Sequence, residues 1–196
     1  MHGICQPARY NDSWAPMKTT HSTIAKLLFC LSLLALLPCW AENSSASVPS
    51  YRLRLYHLHT GERIDVVYRI GDQYLPDRIA ELDHFLRDHR TGDVKDYDLK
   101  EFDLLHDLLV KLGRPDGEID IVCGYRTPWS NKYLRQHGHG VAEHSQHMEA
   151  KAIDIRIPGV SSAEVRDAAL SMGRGGVGYY QQSDFVHVDV GRVRRW

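Results

Sequence analysis

The first pattern in the chain is an alternation of apolar and polar residues between Tyr51 and Tyr68. Two alternating runs, RLRLYHL and RIDVVY, flank a polar segment that contains Thr60-Gly61. A period of two is typical of a strand with one buried face, and a glycine favours a tight turn between two such strands. This part of the sequence therefore predicts an antiparallel β-hairpin.

The next pattern has the spacing of two amphipathic helices. Pro76-Asp77 is a helix start, and a second helix begins near Asp98, whose spacing to Glu101 matches a capping box. The apolar stripe of the second helix is Phe102, Leu105, Leu108, Leu109 and Leu112. Both helices are expected to be scaffold. Three histidines are expected on helix surfaces without a chemical role: His84, His89 and His106.

The second half of the chain carries short β-rich runs. Ile119 to Tyr125 predicts a buried strand, and Thr127-Pro128 predicts that a helix begins next. Lys151 to Ile157 predicts another strand, in which Asp154 projects from the face opposite the isoleucines. Asp154 therefore interrupts a strand that is otherwise suited to burial.

The C-terminal part predicts one more helix and a closing hairpin. Ser161 and Glu164 form a capping-box pattern ahead of a helix that ends at Met172. Residues 177–180 and 185–190 then predict two paired strands. Together the elements predict an α+β fold, in which a small, mainly antiparallel sheet is flanked by helices.

Composition narrows the class of protein. Of the 196 residues, 43% are hydrophobic and 25% are charged, which is the usual balance of a globular domain. The formal net charge is −1, so the chain lacks the basic excess of a nucleic-acid-binding domain, and no such partner is expected. Twelve histidines are more than expected for this length, which is a first indication of a metal site.

Residues 1–41 have the layout of a leader with a secretory signal peptide. Translation is expected to start at Met17, lysines precede an apolar run at residues 27–37, and cleavage is expected after Ala41. The apolar run is shorter than the roughly 20 residues that span a bilayer. A lipid anchor at Cys39 is disfavoured by the proline before it. The mature protein is therefore expected in the periplasm.

One domain remains after the leader. Residues 42–50 are polar and rich in serine and alanine, which predicts a flexible lead-in, and residues 51–196 are long enough for a single domain with its own core. Cys123 is the one cysteine left after cleavage, so an internal disulfide is excluded. A structural zinc site is also disfavoured, because such sites are rich in cysteine.

Three polar residues interrupt the apolar strands. Asp154 lies in the isoleucine-rich run, and His187 and Asp189 lie two residues apart, so they share one face of the last strand. Each of them alone could be a surface residue. His147, in the loop before Asp154, completes a set of two imidazoles and a carboxylate. Three protein ligands and one open position is the usual arrangement of catalytic zinc.

Longer motifs resemble one family of enzymes. The pattern S-x-H-x(6)-D at residues 145–154, followed by F-V-H-V-D at residues 185–189, resembles the M15 family of zinc peptidases, which share a metal site with LAS-type enzymes. Three segments look like the DUF882 branch of that family: HLHTGE at 57–62, CGYR at 123–126, and residues 168–180. The similarity covers nearly all of residues 51–196. It implies an LAS/M15-like zinc peptidase domain.

The resemblance also implies a set of metal ligands. His147, Asp154 and His187 are expected to bind one Zn²⁺ ion per chain, so that a water molecule attacks a peptide carbonyl. Arg126 is expected to stabilise the developing oxyanion or to hold a substrate carboxylate. A salt bridge within its loop is the alternative for Arg126.

The general base has two candidates. Many M15 enzymes carry an acid three positions before the last histidine ligand, and Asp184 occupies that position. Asp189 shares a strand face with His187, and it is the second candidate for the base. Asp189 could instead orient His187. The sequence leaves the choice open, because a base must reach the water in space.

The implied activity is that of a murein endopeptidase. It would hydrolyse peptide cross-links of peptidoglycan between D-alanine and meso-diaminopimelate, or between two diaminopimelates. A D,D- or L,D-carboxypeptidase on stem peptides and an inactive wall-binding module are the alternatives. A zinc storage protein is disfavoured by the full-length resemblance. The expected partners are peptidoglycan stem peptides and an unidentified regulator, and the sequence sets no oligomeric state.

Overall fold

The computed structural model describes residues 48–138 and 140–196. The predicted leader, residues 1–41, and residues 42–47 lie outside this part of the chain. The end of the predicted flexible lead-in is joined to the fold, because the Pro49 carbonyl accepts a 2.7 Å hydrogen bond from the Gly71 amide. The first strand begins at Ser50, one residue before the predicted start of the domain.

The described residues contain eight strands. They are β1 (Ser50–His57), β2 (Arg63–Ile70), β3 (Gln73–Tyr74), β4 (Glu118–Cys123), β5 (Ala152–Arg156), β6 (Gly176–Tyr180), β7 (Phe185–Asp189) and β8 (Arg194–Arg195). They form one sheet in the order β3-β2-β1-β4-β5-β7-β6-β8. The two predicted hairpins, β1–β2 and β6–β7, are both present and antiparallel.

The sheet is larger and more mixed than expected. The α+β class is confirmed, but the predicted small, mainly antiparallel sheet is matched only in part, because β1 pairs with β4 and β6 with β8 in parallel. Strand β4 reaches β1 only after the chain has passed through two helices, which is the long crossover that a parallel pair requires. The short strand β8 escaped prediction because it has only two residues.

Four α-helices accompany the sheet in the described part of the chain, each starting at the predicted signal. They are α1 (Pro76–Phe85), α2 (Leu99–Lys111), α3 (Pro128–His137) and α4 (Ser162–Met172). The Thr127 hydroxyl caps α3 by accepting a hydrogen bond from Ser130 N, and Ser161 and Glu164 form the full capping box of α4. Within the described ranges, no helix combines the length and the apolar character that a membrane crossing requires.

The sheet separates the core from the polar residues of interest. One apolar cluster joins the sheet to α1, α2 and α4, and Ile153 and Ile155 of β5 belong to it. Asp154 lies between these two isoleucines and therefore projects from the opposite face. It pairs with Cys123 of β4 on one side and with His187 of β7 on the other. Since directly paired residues share a face, these three side chains are neighbours.

Glu101 departs from the predicted capping box of α2. Asp98 caps the helix by accepting a 3.1 Å hydrogen bond from Lys100 N, but the Glu101 side chain does not return to Asp98. Both Glu101 carboxylate oxygens are buried, and neither has a hydrogen-bond partner in the described part of the chain. Burial, reinforced by the nearby Asp189 carboxylate, raises the pKa of Glu101 well above its usual value. The fold therefore holds in its core a carboxyl group whose ionisation is disfavoured, at a cost in stability.

We expect Glu101→Leu to stabilise the fold by about 1–3 kcal/mol at neutral pH, because an unpaired buried polar group costs about that much. The folded pKa lies above the unfolded value of 4.5, so the unfolded state releases a proton that the folded state keeps. Wild-type stability should therefore fall as pH rises from that value, and the slope should be smaller in the variant.

Urea unfolding between acidic and neutral pH measures both effects. Glu81→Leu, on the exposed side of α1, is the matched control and should change stability by less than about 0.5 kcal/mol. A Glu101→Leu variant that is less stable than wild type at neutral pH would show that the carboxyl group has a stabilising partner.

Candidate metal centre

Three side chains from two strands and a loop meet at one point. Asp154 lies in β5, His187 in β7, and His147 in a short 3-10 turn, Gln146–Glu149. His147 Nε2 lies 3.2 Å from Asp154 Oδ1 and 3.1 Å from His187 Nδ1, and the latter two atoms are 2.9 Å apart. All three residues are buried. We call the side chains of His147, Asp154 and His187, which meet at these atoms, the ligand cluster.

The His147 ring is held by the loop that ends β4. The His147 carbonyl accepts a 3.2 Å hydrogen bond from the Arg126 amide, and the Ser145 hydroxyl accepts a 3.3 Å hydrogen bond from His147 N. His147 Nδ1 lies 2.8 Å from the Gly124 carbonyl. Because a carbonyl oxygen only accepts, Nδ1 carries the proton, and the lone pair of Nε2 faces the ligand cluster.

Asp189 orients the His187 ring in the same way. Its Oδ2 lies 2.9 Å from His187 Nε2, so Nε2 donates and the Nδ1 lone pair faces the ligand cluster. The Asp189 carboxylate also accepts hydrogen bonds from Gly176 N (3.0 Å), Gly191 N (2.8 Å) and the Arg194 guanidinium (2.7 Å). Asp189 is fully buried, and these partners occupy its oxygens. Both of its oxygens therefore already accept hydrogen bonds from protein groups, and one of these bonds holds the His187 ring.

Two glycines give Asp189 its space. A Cβ atom on Gly176 would overlap the Asp189 carboxylate, and a Cβ atom on Gly175 would overlap the Asp189 main-chain carbonyl. Glycine is the residue that permits such a close approach. Gly175 and Gly176 are therefore required because Asp189, which contacts His187, lies against them. The turn itself does not require them.

The ligand cluster carries negative charge and lone pairs. Burial opposes ionisation of Asp154, but the two surrounding histidines outweigh it and lower the pKa of its carboxyl group. Burial lowers the pKa of His147. Burial would also lower the pKa of His187, but the carboxylates of Asp154 and Asp189 favour its protonated form and together raise the pKa. A buried cluster of this kind would be stabilised by a bound cation.

The residue types and their outer contacts fit zinc. Two imidazole nitrogens and one carboxylate oxygen are the donors of three-ligand catalytic zinc sites. Ligating histidines usually donate their other ring N–H to a carbonyl or a carboxylate, as His147 and His187 do here. The buried donors of these residues therefore suit a bound zinc ion.

Cys123 offers a competing donor. The donor atoms of Cys123, His147 and Asp154 all lie within 4.8 Å of one another. Loss of solvent around the thiol raises the pKa of Cys123 to about 12, and a protonated thiol is a poor ligand. His187 Nδ1 lies 3.1 Å from His147 Nε2 and 2.9 Å from Asp154 Oδ1, and it already presents a lone pair because Nε2 donates to Asp189. The geometry therefore favours His187 over Cys123 as the third ligand.

Arg126 lies in the wall of the cleft that is also lined by Asp154 and His187. The residue is 8% exposed, its Nη1 donates to Asn131 Oδ1 at 3.4 Å, and its Nε is buried without a partner. The alternative role, a salt bridge within its loop, finds no carboxylate partner among the described residues. A buried guanidinium with an unused donor suits an oxyanion or a substrate carboxylate.

Neither candidate base is placed to deprotonate a water molecule in the cleft. Asp184 adopts a left-handed conformation (φ 52°), and its carboxylate accepts a 2.7 Å hydrogen bond from the Ser162 hydroxyl at the start of α4, outside the cleft. Both oxygens of Asp189 already accept hydrogen bonds from protein groups. Among the described residues, Asp154 is the only carboxylate that lines the cleft. Asp184 was a candidate base because it lies three positions before His187 in the sequence. That spacing does not determine the direction of its side chain.

Four residues without a sequence-based role also line the cleft, which has a volume of about 360 Å³: His59, His89, Tyr180 and Trp196. The expectation that His89 lies on a helix surface is wrong, because α1 ends at Phe85 and His89 follows in a loop. Its ring stacks on His59 at 4.2 Å, and burial lowers the pKa of His89 to about 4. The motif HLHTGE pointed to His59, but no sequence signal pointed to His89.

Comparisons with known proteins place this geometry in context. A family model described as peptidoglycan L,D-endopeptidase MepK, of the M15 peptidases, matches residues 45–196. The chain is 41% identical to the peptidoglycan L,D-endopeptidase MepK of Escherichia coli strain K12 over 162 residues, 83% of this chain and 88% of the relative. It is 38% identical to a probable peptidoglycan L,D-endopeptidase MepK of Haemophilus influenzae over 151 residues, 76% of this chain and 81% of the relative.

We expect Asp189→Asn to weaken zinc binding by about 10- to 100-fold, because the amide no longer supplies the charged acceptor that fixes His187. Competition with a chromophoric chelator measures the affinity. Asp184→Asn is the matched carboxylate-to-amide control, and we expect it to leave zinc affinity and peptidase activity unchanged. If Asp184→Asn bound zinc normally and lost all hydrolysis, Asp184 would be the general base despite its place outside the cleft.

Proposed function

Because the chain belongs to the M15-type peptidase family described as peptidoglycan L,D-endopeptidase MepK, we propose that it is a zinc-dependent endopeptidase that hydrolyses peptide cross-links of peptidoglycan. As a member of that family it is a hydrolase that acts on peptide bonds. The substrate, the identity of the metal and the roles of single residues are the proposed part.

The observation that carries the proposal is the ligand cluster at the base of the cleft. His147, Asp154 and His187 bring two lone pairs and one anionic oxygen within 3.2 Å of one another, and the outer nitrogen of each imidazole is already bonded. When bound there, zinc supplies Lewis acidity towards a peptide carbonyl and lowers the pKa of water. The protein's own part is to hold these three donors rigid in a water-poor site.

Arg126 has the charge and the position for the second task in peptide hydrolysis. As a carbonyl is attacked, its oxygen becomes negative, and a preorganised donor beside it lowers the barrier. Arg126 lines the cleft, and no described carboxylate neutralises its guanidinium, which supports this role. The same group could hold a free carboxylate of the stem peptide, which would appear in KM and not in kcat.

The name of the relatives suggests which bond is cut. An L,D-endopeptidase cleaves between an L-configured carbonyl and a D-configured amine. The cross-link between two meso-diaminopimelates joins such centres, whereas the cross-link from D-alanine to diaminopimelate joins two D-configured centres. We therefore propose that this chain prefers the diaminopimelate–diaminopimelate cross-link.

The proposed place of action is the periplasm. The signal-peptide pattern of residues 1–41 supports export, and the relatives are named for action on peptidoglycan. Stem peptides of peptidoglycan are the proposed partners. A regulator remains part of the proposal, since a cross-link hydrolase without control would weaken the wall.

We expect the protein without its predicted leader to convert purified cross-linked muropeptide dimers to monomers, with diaminopimelate–diaminopimelate dimers consumed first. Chelation should stop the reaction, zinc should restore it, and His187→Ala should abolish it, because the cluster then lacks one of its nitrogens. Chromatography of the products measures the conversion. Release of a terminal D-alanine from monomers while dimers persist would identify a carboxypeptidase, and bound zinc without any hydrolysis would identify an inactive wall-binding module.

A further inference from the structure

Helix α3 presents a ridge of three aromatic rings to solvent. Trp129, Tyr133 and His137 are spaced four residues apart, which places them on one helix face. Trp129 is 59% and Tyr133 is 42% exposed. The ring centroids of Trp129 and Tyr133 are 5.7 Å apart and those of Tyr133 and His137 4.3 Å apart, with interplanar angles of 15° and 26°. We call these three side chains the aromatic ridge.

The rings of the aromatic ridge pack against one another although they contribute little to the core. A 2.8 Å hydrogen bond from His137 Nδ1 to the Tyr133 carbonyl fixes the last ring against its neighbour. None of the three side chains belongs to the apolar cluster of the domain. Exposed, contiguous aromatic surface of this kind usually marks a contact with a ligand or a partner.

The start of α3 and the face opposite the aromatic ridge hold the helix against segments that line the cleft. The Thr127 amide and hydroxyl both donate to the Asp88 carboxylate at 2.8 Å, which anchors the start of the helix. Buried Asn131 donates to the Ala142 carbonyl at 3.0 Å and accepts from Arg126, and Ala142 and Arg126 line the cleft. The aromatic ridge and the catalytic cleft are therefore held at opposite sides of one helix.

We propose that the aromatic ridge binds the glycan strand of peptidoglycan while a stem peptide of that strand enters the cleft. This inference rests on the proposed function, and it adds a second contact site for the other half of the substrate. A pyranose ring has a face of C–H groups that packs against an aromatic ring. The indole N–H, the phenol and the imidazole can in addition hydrogen-bond to acetamido and hydroxyl groups.

A lipid surface is the competing occupant, because exposed Lys132, three residues after Trp129, places a positive charge beside the ridge. The glycan is favoured, because it is covalently attached to the peptide that the cleft is proposed to take, and the ridge and the cleft share one rigid helix.

Binding to glycan strands from which all stem peptides have been removed tests the proposal without any hydrolysis. The double variant Trp129→Ala/Tyr133→Ala should bind these strands at least about tenfold more weakly than wild type, because two stacking surfaces are lost. Val110→Ala, which removes a 49% exposed apolar side chain from α2, is the control and should bind like wild type. Equal glycan binding by the double variant and wild type would overturn the proposal.

Two further arms separate the possible outcomes. Vesicles of phosphatidylglycerol test the lipid surface, and binding to vesicles but not to glycan would overturn the proposal. Digestion of intact sacculi should be several-fold slower for the double variant, whereas hydrolysis of sugar-free peptide dimers, which also reports correct folding, should match wild type. Failure of wild type to cut sugar-free dimers would count against the proposed function alone, since binding to stem-free glycan does not depend on it.

Discussion

The structure of the site depends on one electrostatic constraint, which is that two imidazole lone pairs and a carboxylate face one another away from solvent. The outer N–H groups of His147 and His187 are fixed by Gly124 and Asp189, so neither ring can turn its proton inwards without losing a buried hydrogen bond. The surroundings are organised around this constraint. Gly176 leaves room for Asp189, and Arg194 balances its charge. A bound cation would relieve the repulsion that remains.

Strand alternation explains how the protein can hold this cluster and still fold. Ile153 and Ile155 anchor β5 in the apolar core, and Asp154 between them is forced onto the other face. The antiparallel register then sets His187 beside Asp154, and the segment between α3 and β5 adds His147. Core and site are thus separate in space although they share strands. A substitution in the ligand cluster is therefore expected to affect metal binding more than the packing of the core.

Local signals predicted much of the fold, because caps and hairpin turns are decided by neighbouring residues. The starts of α1, α3 and α4 and both hairpins lie where the sequence indicated. The meeting of His147, Asp154 and His187 could also be predicted, because Asp154 and His187 interrupt apolar strands and all three match a family motif. Three features could not be predicted from the sequence, because they depend on packing between distant segments. Glu101 is buried instead of capping α2, His89 enters the cleft from a loop, and Asp184 turns towards Ser162.

The most direct test of this account is a crystal structure of the zinc-loaded protein with anomalous diffraction data collected at the zinc absorption edge. The account predicts one anomalous peak per chain, bonded at about 2.0–2.2 Å to His147 Nε2, Asp154 Oδ1 and His187 Nδ1, with at least one coordination position free of protein ligands. A peak bonded to Cys123 Sγ in place of His187, or no peak between these residues in zinc-loaded crystals, would contradict it.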